Sequence, residues 1–186
     1  MLSEMMQTLQ DPHARHAVLV HFPIVLSLVG FLLTAVLAAT RFKNQTLRWV
    51  AVACFLAGSV GAGLAAGAGE ESEEQIEDTQ TLTAAEEAAI SRHESLGEGG
   101  WMWPLGAGAL VALTAVRKRK LQIGVGIAAV AAGAAVAGWV GWTGHTGGAI
   151  VYQHGLGVPA RGAGLQTTAP QANPADLPQT RQDDDD

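Results

Sequence analysis

A single cysteine, Cys54, stands in a chain of 186 residues. No intrachain disulfide can form. The thiol falls within an apolar run, where a buried, inert cysteine is expected. Charge is also scarce: Asp, Glu, Lys and Arg make up 15% of the residues against 48% apolar, low for a soluble domain. With a net charge of −6 and no basic stripe with interleaved aromatics, nucleic acid is excluded as a partner. No Gly-rich phosphate loop follows a strand pattern, and the His-Glu-x-x-His protease helix is absent. Ser27 and Ser59 lie in apolar runs without an acid–base partner, so no independent catalytic activity is expected. The start has no basic region and its first apolar block is too long for a signal h-region, so no cleaved leader is expected.

What the chain does have is apolar blocks. They run over residues 17–39, 47–69, 101–116 and 121–142, each near the roughly 20 residues a membrane-crossing helix requires. The third is short and must borrow residues from before Trp101. The reading is all-α: an integral membrane four-helix bundle over residues 1–158, with an external loop at 70–100. A disordered acidic tail follows at 159–186, rich in Pro, Gln and Thr and ending in four aspartates.

Charge orients the blocks. The first connection holds Arg41, Lys43 and Arg48, and the last holds Arg117, Lys118, Arg119 and Lys120. Neither contains an acid; all 17 Asp and Glu residues lie in the N-terminal segment, the 70–100 loop or the tail. The positive-inside rule places both termini and the acidic loop outside the cytoplasm. Trp49, Trp101, Trp103 and Trp142 at block ends, with Trp139 within a turn, read as an interfacial belt. Apart from histidines at the outer ends, the blocks carry only Cys54 and Arg48 as ionisable groups. An ion or proton pathway would need others at mid-depth.

Local signals sharpen the picture. Asp11 is a candidate N-cap and Pro12 suits the first helical position. Pro23 cannot bond back to Leu19, which predicts a kink there. At about 100° per residue, His16 and His21 point roughly 140° apart on a straight helix. Gly63 and Gly67 form a GxxxG pair, expected to pack helices closely or to leave room for a flat macrocycle. Thr83 followed by Glu86 has a capping-box pattern and predicts a short helix carrying His93.

There are six histidines: His13, His16, His21, His93, His145 and His154. They cluster at the outer ends of the first, third and fourth blocks. His21 is the least explained by solvent, because a neutral imidazole within an apolar run needs a partner for its nitrogens. A neighbouring helix, a metal ion or a haem iron could supply it. His13 and His154 read mainly as surface groups.

The segment "RHAVLVHFPIVL" and the later "GHTGGAIVYQHGLGV" resemble the two signatures of a bacterial membrane family catalogued as domain of unknown function 2231. The resemblance covers roughly residues 11–158 and extends to a four-span layout with a histidine before the third span. Carried over by position, it singles out His16, His21, Phe22, Pro23, His93, Gly147, Gly148, Tyr152 and His154. It implies a multi-pass protein of the bacterial inner membrane, for which the charge pattern puts both termini on the periplasmic side. The long acidic stretch, the Gly-rich segment before Trp101 and the acidic tail depart from the family's pattern.

Three functions follow as expectations. The first is a b-type haem protein or subunit carrying electrons at the outer face, since four-helix bundles hold cofactors between helices and haem iron accepts histidine. One or two haem b groups would use His21 with His93 first and His16 with His145 second. Gly147 and Gly148 would let the chain after the fourth span close over the site. The second is a copper or zinc site built from His16, His21, His93, His145 and His154. The third is an accessory subunit of a larger respiratory or photosynthetic complex, with no cofactor. The lipid bilayer is the expected partner throughout. The dense acids Glu70, Glu71, Glu73, Glu74, Glu77 and Asp78 are either a solvated loop or a docking surface for a soluble cytochrome c.

Overall fold

The computed structural model describes residues 9–157, together with Ser3 and Met6. The tail expected at 159–186 lies outside the described residues. Over residues 12–154 the described chain forms six helices: α1 (Pro12–Leu19), α2 (His21–Ala39), α3 (Gln45–Thr79), α4 (Ala84–Gly97), α5 (Met102–Leu113) and α6 (Arg119–His154). Among the described residues there is no strand. The Asp11 side chain accepts from the His13 backbone N–H at 2.9 Å, and Pro12 opens α1. The break between α1 and α2 falls at Val20, where the missing donor of Pro23 predicts it.

Three helical stretches are long and apolar enough to cross a membrane: Pro12–Ala39, Gln45–Thr79 and Arg119–His154. The third apolar block differs from its expectation. It forms a helix of 12 residues, about 18 Å long, which falls short of a hydrocarbon core of about 30 Å. The turn at Gly97–Gly100 stops it from borrowing residues. Gly99 takes a φ of +66°, and Gly100 lies so close under the Trp139 ring that no Cβ could be added. Trp139 Nε1 donates to the Leu96 carbonyl at 3.0 Å, pinning that turn to α6.

The helices α3 and α6 hold 35 and 36 residues. At 1.5 Å per residue they reach about 52 and 54 Å, some 20 Å beyond the hydrocarbon. The acidic run read as loop instead continues α3 through Thr79. Glu and Gln are good helix formers, and neither Gly nor Pro follows Gly69 there. Packing supports the extension: α1 lies along α3 and α4 along α6. The Arg15 guanidinium pairs with Glu71. Helix α4 begins where expected, with both halves of the Thr83–Glu86 capping box formed.

Two apolar cores result. The larger includes Leu37, Val52, Phe55, Ala107, Val111, Ala129 and Val136. The smaller, at the acidic end, joins Ile76, Ile90 and Leu156. Phe55 is completely buried, and glycines from three helices surround it. A Cβ at Gly30 would stand 3.2 Å from its ring, at Gly108 3.1 Å from its Cβ, and at Gly133 3.4 Å from its Cζ. Gly58 and Gly61 bring α3 against Ser27 and Pro23 of α2. Gly63 and Gly67, the expected GxxxG pair, meet nothing within 4 Å.

At the basic end, Arg48 is buried with its guanidinium donating to the Phe42 carbonyl at 2.7 Å and to Thr114 Oγ1 at 3.0 Å. It fastens the α2–α3 turn, where Arg41 and Phe42 have φ of 56° and 60°, to the end of α5. Cys54 is half-buried and free rather than enclosed in the core, and lines a shallow groove with Leu26 and Trp49.

The cradle around Phe55 predicts a sharp contrast. Phe55→Ala should cost about 3–5 kcal/mol of stability, whereas Val60→Ala, at a position 65% exposed, should cost under about 0.5 kcal/mol. Unfolding of the two variants in detergent measures this. Equal losses would contradict the packing.

Candidate functional site

The junction between the two cores carries a pair of histidines. Helix α1 places His16 against α3, where its Nδ1 lies 2.8 Å from the Ala65 carbonyl. A carbonyl oxygen only accepts, so Nδ1 bears a proton, and the lone pair of the Nδ1–H tautomer is on Nε2. Gly69, one turn further along α3, leaves the ring its space: a Cβ there would come within 3.2 Å of His16 Cε1 and Nδ1.

Helix α4 brings His93 from the opposite side. Its Nδ1 is 3.0 Å from Thr146 Oγ1. The Thr146 hydroxyl donates to the Thr143 carbonyl at 2.9 Å, so its oxygen accepts from His93 Nδ1–H. His93 Nε2 is thereby left as the second free lone pair. Gly147 lies under this ring, and a Cβ there would stand 2.9 Å from His93 Cε1. Gly147 and Gly148 thus stay helical within α6, and the site is not closed by the chain beyond them. The ring centroids of His16 and His93 are 6.1 Å apart, with the planes at 85°.

Burial and the neighbouring His16 together push the His93 pKa below the ordinary histidine value, outweighing the raising effect of the Thr143 carbonyl. His93 is therefore a neutral imidazole at pH 7, and its unprotonated nitrogen is available as a ligand or proton acceptor.

The remaining histidines go elsewhere. His21 is exposed, with Nδ1 2.7 Å from the Ala17 carbonyl one turn earlier in the chain. The expected pairing of His21 with His93 is not formed, and His16 takes that place. Pro23 faces inward, against Gly61, and a residue two positions away on a helix points about 200° around from it. The break at Val20 precedes His21 and does not turn it back. The second expected pair, His16 with His145, is not formed either. His145 is exposed and lies over Trp142, with ring centroids 5.6 Å apart. His154 ends α6, and His13 Nδ1 meets Gln75 Oε1 at 3.2 Å. Among the described residues no group of three or more His, Cys, Asp or Glu side chains could hold a metal ion.

Residue patterns alone missed Thr146, the Ala65 carbonyl and Gly69. A hydroxyl in a stretch of small residues was the available signal for Thr146. A backbone carbonyl gives none.

The fold is that of an all-helical membrane protein in which His16 and His93 lie side by side where the long helices leave the apolar bundle. A family model described as "Predicted membrane protein (DUF2231)" matches residues 12–160. The chain belongs to that family. No curated protein and no solved structure matches it.

The depressed value of His93 has a stability consequence. Its neutral form stabilises the fold above the ordinary histidine value, about 6.5. That contribution is lost as pH falls through the lower folded value. Thermal stability of the full chain in detergent should decline as pH drops from about 7 to 5, and His93→Gln should flatten the decline. An unchanged slope would assign the titration to another group.

Proposed function

We propose that the protein is a redox carrier of the bacterial inner membrane, binding a haem iron through His16 and His93 at the outer end of its bundle. The reading is carried by the two imidazoles from different helices, 6.1 Å between centroids, each held through Nδ1 with Nε2 free. Two imidazoles on opposite sides of one metal ion, at metal–nitrogen distances of about 2 Å, have centroids about 6 Å apart. The hydrogen bonds to Ala65 and Thr146 are the kind that fix tautomer and ring orientation in metal-binding histidines. A haem with both axial positions filled by histidine suits electron transfer rather than oxygen chemistry. The macrocycle would need a slot between α1 and α4. α1 continues into α2 through Val20, weakened only by the bond that Pro23 cannot give to Leu19, and α4 meets α5 at the Gly97–Gly100 turn; these short helices are the elements that would supply it.

The basic loops orient this end away from the cytoplasm. There the exposed Glu70, Glu71, Glu74, Glu77 and Asp78 of α3 would steer a basic soluble electron carrier such as a cytochrome c. A second reading is copper held linearly by the same two rings, favoured because the present spacing needs no macrocycle. A zinc site of three or four histidines lacks the cluster it requires among the described residues.

Protein expressed with ample haem and purified in detergent tests the proposal. Sharp absorption bands should appear on reduction. His16→Ala and His93→Ala should each abolish or strongly shift them, while His21→Ala leaves them in place. Copper without haem, lost in the same two variants, would establish the second reading. Neither metal in the wild type would leave an accessory subunit without cofactor, and bands that depend on His21 and not on His16 would overturn the His16–His93 assignment.

A further inference from the structure

Between α4 and the terminal third of α6 lies a half-open cavity of about 290 Å³. Its α4 wall is formed by Ala85, Ala88, Ala89 and Arg92, which follow one another at helical spacing along one face. Three alanines make the groove, because larger side chains there would close the gap to α6. The fourth position ends it with a guanidinium. Trp142 and His145 line the α6 wall, and His154 lies at the end nearest the chain's acidic segment.

The charge around this cavity is unusual for its surroundings. Arg15 and Arg92 are the only Lys or Arg residues among the described residues at the acidic end. Arg15 is paired with Glu71. Arg92 has no carboxylate within 4.0 Å among the described residues. Glu86, the acid nearest His154 in effect, is engaged by Thr83 at the start of α4, and its pKa is held below the usual carboxylate value chiefly by those hydrogen bonds. A cation, two imidazoles capable of donating, an indole and an alanine floor thus converge on one opening.

We infer that this cavity binds the phosphodiester headgroup of an anionic phospholipid. The guanidinium and the His145 ring offer planar and single hydrogen-bond donors to phosphate oxygens. Trp142, 57% exposed, stands with Arg92 at the end of the cavity nearer the apolar block and continues it onto the apolar surface, where an acyl chain runs down the bundle. The alanines lie on the aqueous side of Arg92 and take the headgroup beyond the phosphate. Tryptophan is the residue that favours this depth of the membrane. A soluble anion would gain nothing from the apolar surface that adjoins Trp142. The site is separate from the His16–His93 pair, although the cavity touches Thr146, whose oxygen holds His93.

Native mass spectrometry of the full-length protein, released from detergent with added phosphatidylglycerol or phosphatidylcholine, tests this. One phosphatidylglycerol per chain should be retained, about tenfold better than phosphatidylcholine. Arg92→Ala should remove that preference, and Arg92→Lys should keep part of it. Ala88→Leu fills the groove without changing charge and should reduce retention of both lipids. Equal retention of the two lipids by the wild type, or a preference that survives Arg92→Ala and Ala88→Leu, would overturn the inference. Displacement of the lipid by millimolar inorganic phosphate would reassign the pocket to a soluble anion.

Discussion

The structure depends on one ring held among glycines. Phe55 is fully buried, and Gly30, Gly108 and Gly133 bring three other helices within van der Waals distance of it. In a bilayer, lipid tails are as apolar as the helices, so association rests on close packing rather than on escape from water. A large aromatic on one helix and missing side chains on three others provide that packing at a single level. The ring also sets the rotation of α3 and α6. Gly69 lies fourteen residues beyond Phe55, and Gly147 fourteen beyond Gly133. Fourteen residues make about four turns, so each later glycine returns to the same face about 21 Å further along. Those two glycines cradle His16 and His93. The site is thus an extension of the register fixed in the core.

That extension explains why the acidic end is built as it is. Helices α3 and α6 leave the apolar bundle as bare rods, and α1 and α4 cover them. The small core of Ile76, Ile90 and Leu156 closes the layer, and the histidine pair stands between it and the main core. Here the imidazoles are sheltered enough that His93 stays neutral, yet lie near the aqueous end of the helices.

Much of this was legible in the residues. Asp11–Pro12, Pro23 and Thr83–Glu86 each act locally, and the helix start, the break and the capping box stand where they were expected. The choice of histidine was not local. His16 and His21 differ by about 140° around the helix, so the residues alone decided that they would not share a site but not which would face inward. The inward face was set by Pro23 against Gly61, a contact between helices that no pattern within α2 displays. The GxxxG pair failed for the same reason: Gly63 and Gly67 have the right spacing but face away from every neighbour in the fold. The length of α3 was hidden because acidic residues read as solvent-exposed loop, although glutamates also form exposed helix readily.

The central claim is that His16 and His93 stand side by side, each held through Nδ1–H and with no protein partner on Nε2 among the described residues. Nitrogen-15 NMR of the histidine side chains, in metal-free protein at neutral pH, reads this directly. The account predicts the Nδ1–H tautomer for His93 and a protonated Nδ1 for His16, with strong perturbation of both Nε2 signals when the metal centre is loaded. A proton on Nε2 of a neutral ring at either position, or Nε2 signals indifferent to metal, would contradict it.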